Sequence, residues 1–185
     1  MKELFEAIHA DDLARVEALV AADASLAIFA AAILGDTARI EQILAANRSL
    51  AGALSSDGWT PLHLAAFYGK DDAARLLLNK GAPVSARSTN QMANTPLHAA
   101  AAGRHASVVK LLLDNGAQPN AQQHGGWAPL HAAAQHGDIE TARILIAAGA
   151  DVNLRATNLQ QPLDLAVLKA QQVMVDFLES NGARL

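Results

Sequence analysis

Seven histidines are the residues of this chain best suited to metal binding or acid–base catalysis. Three of them end nearly identical tetrapeptides, which are Thr60-Pro61-Leu62-His63, Thr95-Pro96-Leu97-His98 and Ala128-Pro129-Leu130-His131. Equivalent residues of stacked repeats lie about 10 Å apart, whereas a metal–nitrogen bond is only about 2 Å long. These histidines are therefore too far apart to share a metal ion. Each stands three residues after a potential helix cap and can return a hydrogen bond to it, so we predict a structural role.

The other four histidines show no catalytic or metal-binding pattern. His9, His124 and His136 are scattered, without a His-Glu-x-x-His motif or a paired-carboxylate spacing, and His105 is predicted to be structural. The chain has no Gly-x-Ser-x-Gly elbow and no glycine-rich phosphate loop. Because it has no cysteine, it also lacks a thiolate ligand or nucleophile. We expect no catalytic residue, no metal site and no cofactor, and we predict that the chain is not an enzyme.

A repeat of about 33 residues sets the positions of these motifs. The tetrapeptides follow one another at spacings of 35 and 33 residues, and Gln161-Pro162-Leu163-Asp164 follows after another 33. Apolar triplets and Gly-Ala pairs recur with the same spacing, which is typical of a repeat solenoid. Within each copy, Thr suits a helix cap, Pro suits the first helical position and Gly suits the helix end.

The tetrapeptide and the period together resemble the ankyrin repeat over most of the chain. This resemblance implies an all-α repeat solenoid of stacked antiparallel helix pairs, joined by β-hairpin or loop fingers. The Ala-rich, cysteine-free composition favours a bacterial-type member. Near the N-terminus, the matching segments Ala14–Glu17 and Ala38–Glu41 are only 24 residues apart, so the first two units should lack the finger. We expect one solenoid, 1–185, with six units at about 1–24, 25–56, 57–91, 92–124, 125–157 and 158–185.

The same markers predict several local features. The segment 83–94 is two residues longer than the period requires and should extend the tip of its finger. Arg104 occupies the position that should end a helix, so either it adopts the left-handed conformation or the turn moves to Gly103. Ala128 lacks a capping hydroxyl, and Ala170 replaces a helix-ending glycine. Helices are expected near residues 2–9, 12–22, 26–34, 37–46, 60–68 and 70–79.

Composition narrows the choice of partners. Lys and Arg total 14 against 18 Asp and Glu, for a net charge of −4, and no basic run is present, so we expect no nucleic-acid binding. The longest apolar run, Leu26–Leu34, is too short to cross a bilayer, so no membrane partner is expected. The acidic opening segment has no apolar region typical of a secretion signal, and we predict a cytoplasmic protein.

Aromatic side chains indicate a binding surface. Proteins of the resembled family bind their targets across the finger tips and the concave face of the first helices. Four of the seven aromatic residues map to that surface, and Trp and Tyr are enriched in binding hot spots. Alternatively, each Trp packs against a neighbouring finger. The predicted partner-binding residues are Trp59, Phe67, Tyr68, Met92, Asn94, Trp127, Gln135, His136, Gln160 and Lys169.

The sequence therefore predicts a non-catalytic protein–protein interaction module, favoured as a monomer, whose partner protein lies on the concave face and the finger tips. Small residues between Trp59 and Trp127 should leave a shallow trough suited to a helix or loop of that partner. The alternative is a self-associating structural or scaffold protein. In that case an exposed apolar edge, such as Phe5 and Ile8 or the last helix, would form a homodimer.

Overall fold

The computed structural model describes residues 1–185, which form twelve α-helices and no β-strand. The predicted all-α repeat solenoid is confirmed, and each helix expected from the sequence is found within one or two residues of its predicted bounds. None of the helices combines the length and the apolar character needed to cross a membrane. The helices are α1 (Lys2–His9), α2 (Leu13–Ala22), α3 (Ala27–Leu34), α4 (Thr37–Ala46), α5 (Pro61–Phe67), α6 (Asp71–Asn79), α7 (Pro96–Gly103), α8 (Ala106–Asp114), α9 (Pro129–His136), α10 (Ile139–Ala147), α11 (Pro162–Leu168) and α12 (Gln172–Ser180).

The helices pack as six consecutive pairs arranged in two rows. From α3 onward, the first helix of each pair contacts the first helix of the next pair, and the second helices from α4 to α12 do the same. The N-terminal pair lies at one end of the stack, where α2 contacts both α1 and α3. The stacking explains why a helix as short as α5 is stable: isolated helices of that length are marginal in water, but α5 is covered by α3, α6 and α7.

The hydrophobic core runs through the whole stack. One cluster of 41 buried residues extends from Leu4 to Ala183 instead of dividing into one core per pair. In α5 every residue from Pro61 to Ala66 is buried, whereas α6 buries only Ala73, Ala74 and Leu77. The abundant alanine of the sequence thus serves the first helices, which are packed on several sides and need small side chains.

The fingers between pairs are loops. Each has one backbone hydrogen bond across its base, which in the first finger runs from the Ser55 N–H to the Trp59 oxygen, four residues on (2.9 Å). In the second finger the bond joins Ser88 to Asn94 (2.8 Å) and so encloses two more residues. The predicted extension at this tip is confirmed. One such bond per finger does not make a β-ladder, so the fingers take the loop form and not the strand form.

The first two helix pairs are joined without a finger, as predicted. A single 3-10 turn, Ala24–Leu26, leads from α2 into α3. The side chain of Asp23 accepts a hydrogen bond from the Ser25 backbone N–H (3.0 Å), and Asn47 accepts from Ser49 in the same way (3.1 Å). The two turns correspond at the 24-residue spacing seen in the sequence.

Three first helices of the pairs are followed by a residue other than glycine in the left-handed region, and after α1 this residue is Asp11 (φ 53°). Arg104 lies in the left-handed region with φ 63° and ψ 38°, which confirms the strained alternative. Gly103 stays inside α7, where a Cβ atom would collide with the carbonyl oxygen of Phe67. Ala170, with φ 53°, likewise takes a conformation usual for glycine.

Candidate functional site

The histidine of each tetrapeptide connects its own helix to the following finger. The His63 Nδ1 atom accepts a hydrogen bond from the Thr60 backbone N–H (3.3 Å), and its Nε2 atom faces the carbonyl oxygen of Asn94 (3.0 Å). His98 makes the same contacts with Thr95 and with the Trp127 oxygen (3.3 and 3.0 Å). Because an N–H only donates and a carbonyl only accepts, both rings must carry their proton on Nε2.

His131 repeats this arrangement between Ala128 and the Gln160 oxygen, at 3.1 and 3.2 Å. Burial lowers the pKa of His63 and of His98 to about 4, and it also lowers the pKa of His131. Both nitrogens of each neutral ring are thus occupied by the chain itself. The predicted structural role of these three histidines is confirmed, and no group of three or more His, Asp or Glu side chains lies close enough to hold a metal ion.

An aromatic ridge stands on the surface beside these contacts. Trp59 precedes the cap of α5 and Phe67 ends that helix, and their rings meet edge to face with centroids 5.6 Å apart. The next residue, Tyr68, packs against Phe67 in the same manner at 5.3 Å. The Trp59 ring also lies against His63 of its own tetrapeptide, at 5.8 Å. Phe67 remains 36% exposed, so the ridge presents apolar area to solvent.

A trough of about 430 Å³ lies between this ridge and a second wall formed by Trp127, Gln135 and His136. The small side chains Ala99 and Ala102 of α7 lie between the two walls, in agreement with the trough expected from the sequence. Seven of the ten residues predicted to bind a partner line this trough: Trp59, Phe67, Met92, Asn94, Trp127, Gln135 and His136.

Asn94 gives the trough a polar feature. The residue is only 7% exposed, and its buried Oδ1 atom has no hydrogen-bond partner within the chain. An unpaired buried acceptor costs about 1–3 kcal/mol.

The remaining three predicted residues lie outside the trough. The Gln160 side chain is bonded to Asn158 in its own finger, through a 2.6 Å hydrogen bond to Oε1. Lys169 is exposed at the end of α11. Tyr68 faces a separate hollow on the other side of the ridge.

That hollow, of about 350 Å³, lies between the ridge and the N-terminal helix α1. Phe5 and His9 line it from α1, and the Tyr68 hydroxyl lies 3.2 Å from the His9 Nε2 atom. Burial raises the pKa of Tyr68, which keeps its hydroxyl available as a donor. Trp59 and Phe67 line both the hollow and the trough.

Sequence reasoning missed two groups of lining residues. Gln123 and His124 reach the trough from the finger before Trp127. Their position in a finger could have predicted this, because the finger tips were expected to bind the partner. Phe5 was expected only at a self-association edge, and His9 at no site. Both belong to a helix whose contact with the ridge depends on the stacking of three helix pairs, so no local pattern places them at the hollow.

A family model described as ankyrin repeats (3 copies) matches three overlapping stretches of the chain, residues 4–123, 82–156 and 120–185. Together these stretches cover nearly all of it. No curated protein matches the chain.

Proposed function

Because the chain belongs to the ankyrin repeat family, we propose that it is a non-catalytic module that binds another protein in the trough between Trp59 and Trp127. Ankyrin repeats generally mediate protein–protein interactions and are typically non-enzymatic. The observation that carries the proposal is the pair of aromatic walls left partly exposed on either side of small residues. Apolar area in water costs roughly 25 cal/mol per Å², and large exposed apolar patches on soluble proteins commonly mark binding sites.

The trough also favours a particular kind of contact. Its apolar walls suit an apolar side chain of the partner. A partner helix or loop that presents such a side chain would bury the exposed rings.

The test begins with a tagged chain that captures its partner from a native lysate, followed by calorimetric titration of that partner. Replacing Phe67→Ala together with Tyr68→Ala should weaken binding by at least about 2 kcal/mol, the usual hot-spot threshold, or about thirtyfold in Kd. The helical circular dichroism and most of the melting temperature should be kept. Glu41→Ala and Lys110→Ala, on the second-helix row, are matched controls that should bind normally. Unchanged affinity in a folded double variant would show that the proposal is wrong, and unfolding of the variant would show that the rings belong to the core.

Self-association is a second candidate function, supported by the last helix pair. Val167, Leu168 and Val173 are 50%, 67% and 72% exposed at the C-terminal end of the stack. In contrast, Phe5 and Ile8 are partly buried against the core, so the N-terminal edge is the weaker candidate. Sedimentation velocity over a range of concentrations distinguishes the two functions, and we expect a single species at the 19.3 kDa chain mass.

A further inference from the structure

The hollow between α1 and the aromatic ridge has the composition of a site for a cationic planar group. We propose that it receives an arginine side chain of the partner protein, an inference that rests on the proposed function. Four aromatic rings line it, from Phe5, Trp59, Phe67 and Tyr68, together with the carboxylate-bearing residue Asp57.

Neighbouring rings of the hollow are nearly perpendicular to each other. Phe67 meets Trp59 at an interplanar angle of 76° and Tyr68 at 84°. A planar group that enters such a hollow lies flat on one ring while another borders its edge. The guanidinium group of arginine is planar, weakly hydrated and well suited to stacking on aromatic faces. The chain already contains one such contact, because the guanidinium of Arg143 lies 5.4 Å from the ring centre of Phe177.

Charge at the hollow also favours a cation. Asp57 is exposed, and its carboxylate makes neither a salt bridge nor a hydrogen bond within the chain. No Lys or Arg lines the hollow, and its one other titratable neighbour besides Tyr68 is His9, which contacts the Tyr68 hydroxyl. Helix α1 belongs to an acidic stretch: residues 1–24 contain six Asp and Glu but only two Lys and Arg. An arginine would thus meet a free carboxylate in a net negative region.

Lysine fits the site less well than arginine. Its ammonium is a compact, strongly hydrated charge that loses its water in an apolar hollow and does not stack. Arginine keeps its plane against a ring and offers a fork of N–H donors to one carboxylate. Since Trp59 and Phe67 also line the trough, one partner segment can place an arginine in the hollow and an apolar side chain in the trough.

The experiment uses Trp59 as the reporter. Trp127→Phe leaves Trp59 as the only indole of the full chain, and its emission is followed during titration with N-acetylarginine amide. N-acetylcitrulline amide, which has nearly the same shape and no charge, is the matched probe. We expect a saturable change with the arginine compound and an apparent Kd at least fivefold higher for the citrulline compound. Equal responses to the two, or no response to the arginine compound, would overturn the inference.

Two variants locate the site. Asp57→Asn should raise the Kd of the arginine compound at least threefold, whereas Asp72→Asn, an equal charge change on α6, should leave it unchanged. An equal rise of the Kd in the two variants would mean that only the net charge of the chain matters, and it would contradict binding at the hollow. The proposed function is tested separately with Trp127→Ala and Met92→Ala, which line the trough but not the hollow. If partner binding depends on these residues while the arginine compound fails to bind, the arginine inference falls and the proposed function stands.

Discussion

The residue that caps α5, α7 and α9 differs among the three Pro-Leu-His motifs. The Thr60 hydroxyl oxygen accepts a hydrogen bond from the His63 backbone N–H (3.3 Å) and lies 2.8 Å from the ring Nδ1 atom. The Thr95 hydroxyl makes the same 2.8 Å contact with His98. Ala128 has no hydroxyl, and the His131 N–H donates instead to the Ala128 carbonyl oxygen (3.0 Å).

Exchanging these caps should change stability in opposite directions. Thr60→Ala and Thr95→Ala each remove a helix cap and should lower the free energy of unfolding by about 1 kcal/mol. Ala128→Thr supplies the missing hydroxyl and should raise it by about the same amount or less. Urea titrations of the three variants measure these changes. A clear loss of stability in Ala128→Thr would show that the buried site at α9 does not accept a threonine cap.

Arg104 is the second position at which a single residue carries a stability prediction. A left-handed conformation costs a residue with a Cβ atom roughly 1 kcal/mol, so Arg104→Gly should raise the free energy of unfolding by about that amount. Arg104→Ala removes the same side chain but keeps the strain, and it should be close to neutral. Thermal and urea unfolding of the pair separate the two effects. Equal stabilisation by both variants would show that the arginine side chain, and not its backbone, is responsible.

At the scale of helices and fingers, the sequence predicted those features that a residue type specifies locally. Proline after a cap marks the start of α5 and α7, and the inserted residues mark the longer finger tip. Features that depend on neighbouring pairs could not be predicted. Gly103 lies too close to the Phe67 carbonyl oxygen for a side chain, and Tyr68 lines the hollow with Phe5 and His9 of α1 instead of the trough. Neither contact can be recognised from the residue types of the segment in which it occurs.

Side-chain amides link the ends of neighbouring helix pairs. The Asn120 Nδ2 atom donates to the Gly149 oxygen (2.9 Å), and its Oδ1 atom accepts from the Asp151 N–H (2.8 Å). Asn153 forms the same two bonds one pair further along, with Gly182 and Arg184. Each asparagine side chain therefore joins two neighbouring helix pairs through two hydrogen bonds, where no β-ladder joins them.

Removing one such link should weaken a single interface. Asn120→Ala should lower the free energy of unfolding by about 1 kcal/mol, because two exposed neutral hydrogen bonds are lost. Hydrogen exchange should show faster opening after α8, while the pairs before it keep their protection. Gln118→Ala, whose side chain bonds only to Gly116 in its own turn, is the control and should change stability by less than about 0.5 kcal/mol. Equal losses in both variants would contradict a role for Asn120 between pairs.

Across the whole molecule, stability depends on interfaces arranged in series, since each pair of a solenoid contacts only its neighbours. The histidines of α5, α7 and α9 each cross one of these interfaces in the neutral state. In the folded chain, the pKa of His63 and of His98 is lowered to about 4, while an unfolded histidine titrates near about 6.5. As pH falls below about 6.5, these histidines become protonated in the unfolded chain but stay neutral in the folded chain. The stability from these rings is therefore complete above about pH 6.5 and is lost progressively down to about pH 4.

We expect the free energy of unfolding to fall by about 2 kcal/mol for each of His63 and His98 between about pH 7 and about pH 5, where most carboxylates are still ionised. Urea titrations at the two pH values measure the loss. His98→Gln removes one of the titrating groups, so its loss over the same interval should be smaller by about 2 kcal/mol, whatever its stability at neutral pH. His136→Gln changes an exposed histidine of the same helix row and should keep the wild-type dependence. An identical pH dependence in the wild type and in His98→Gln would show that the buried rings do not control acid unfolding.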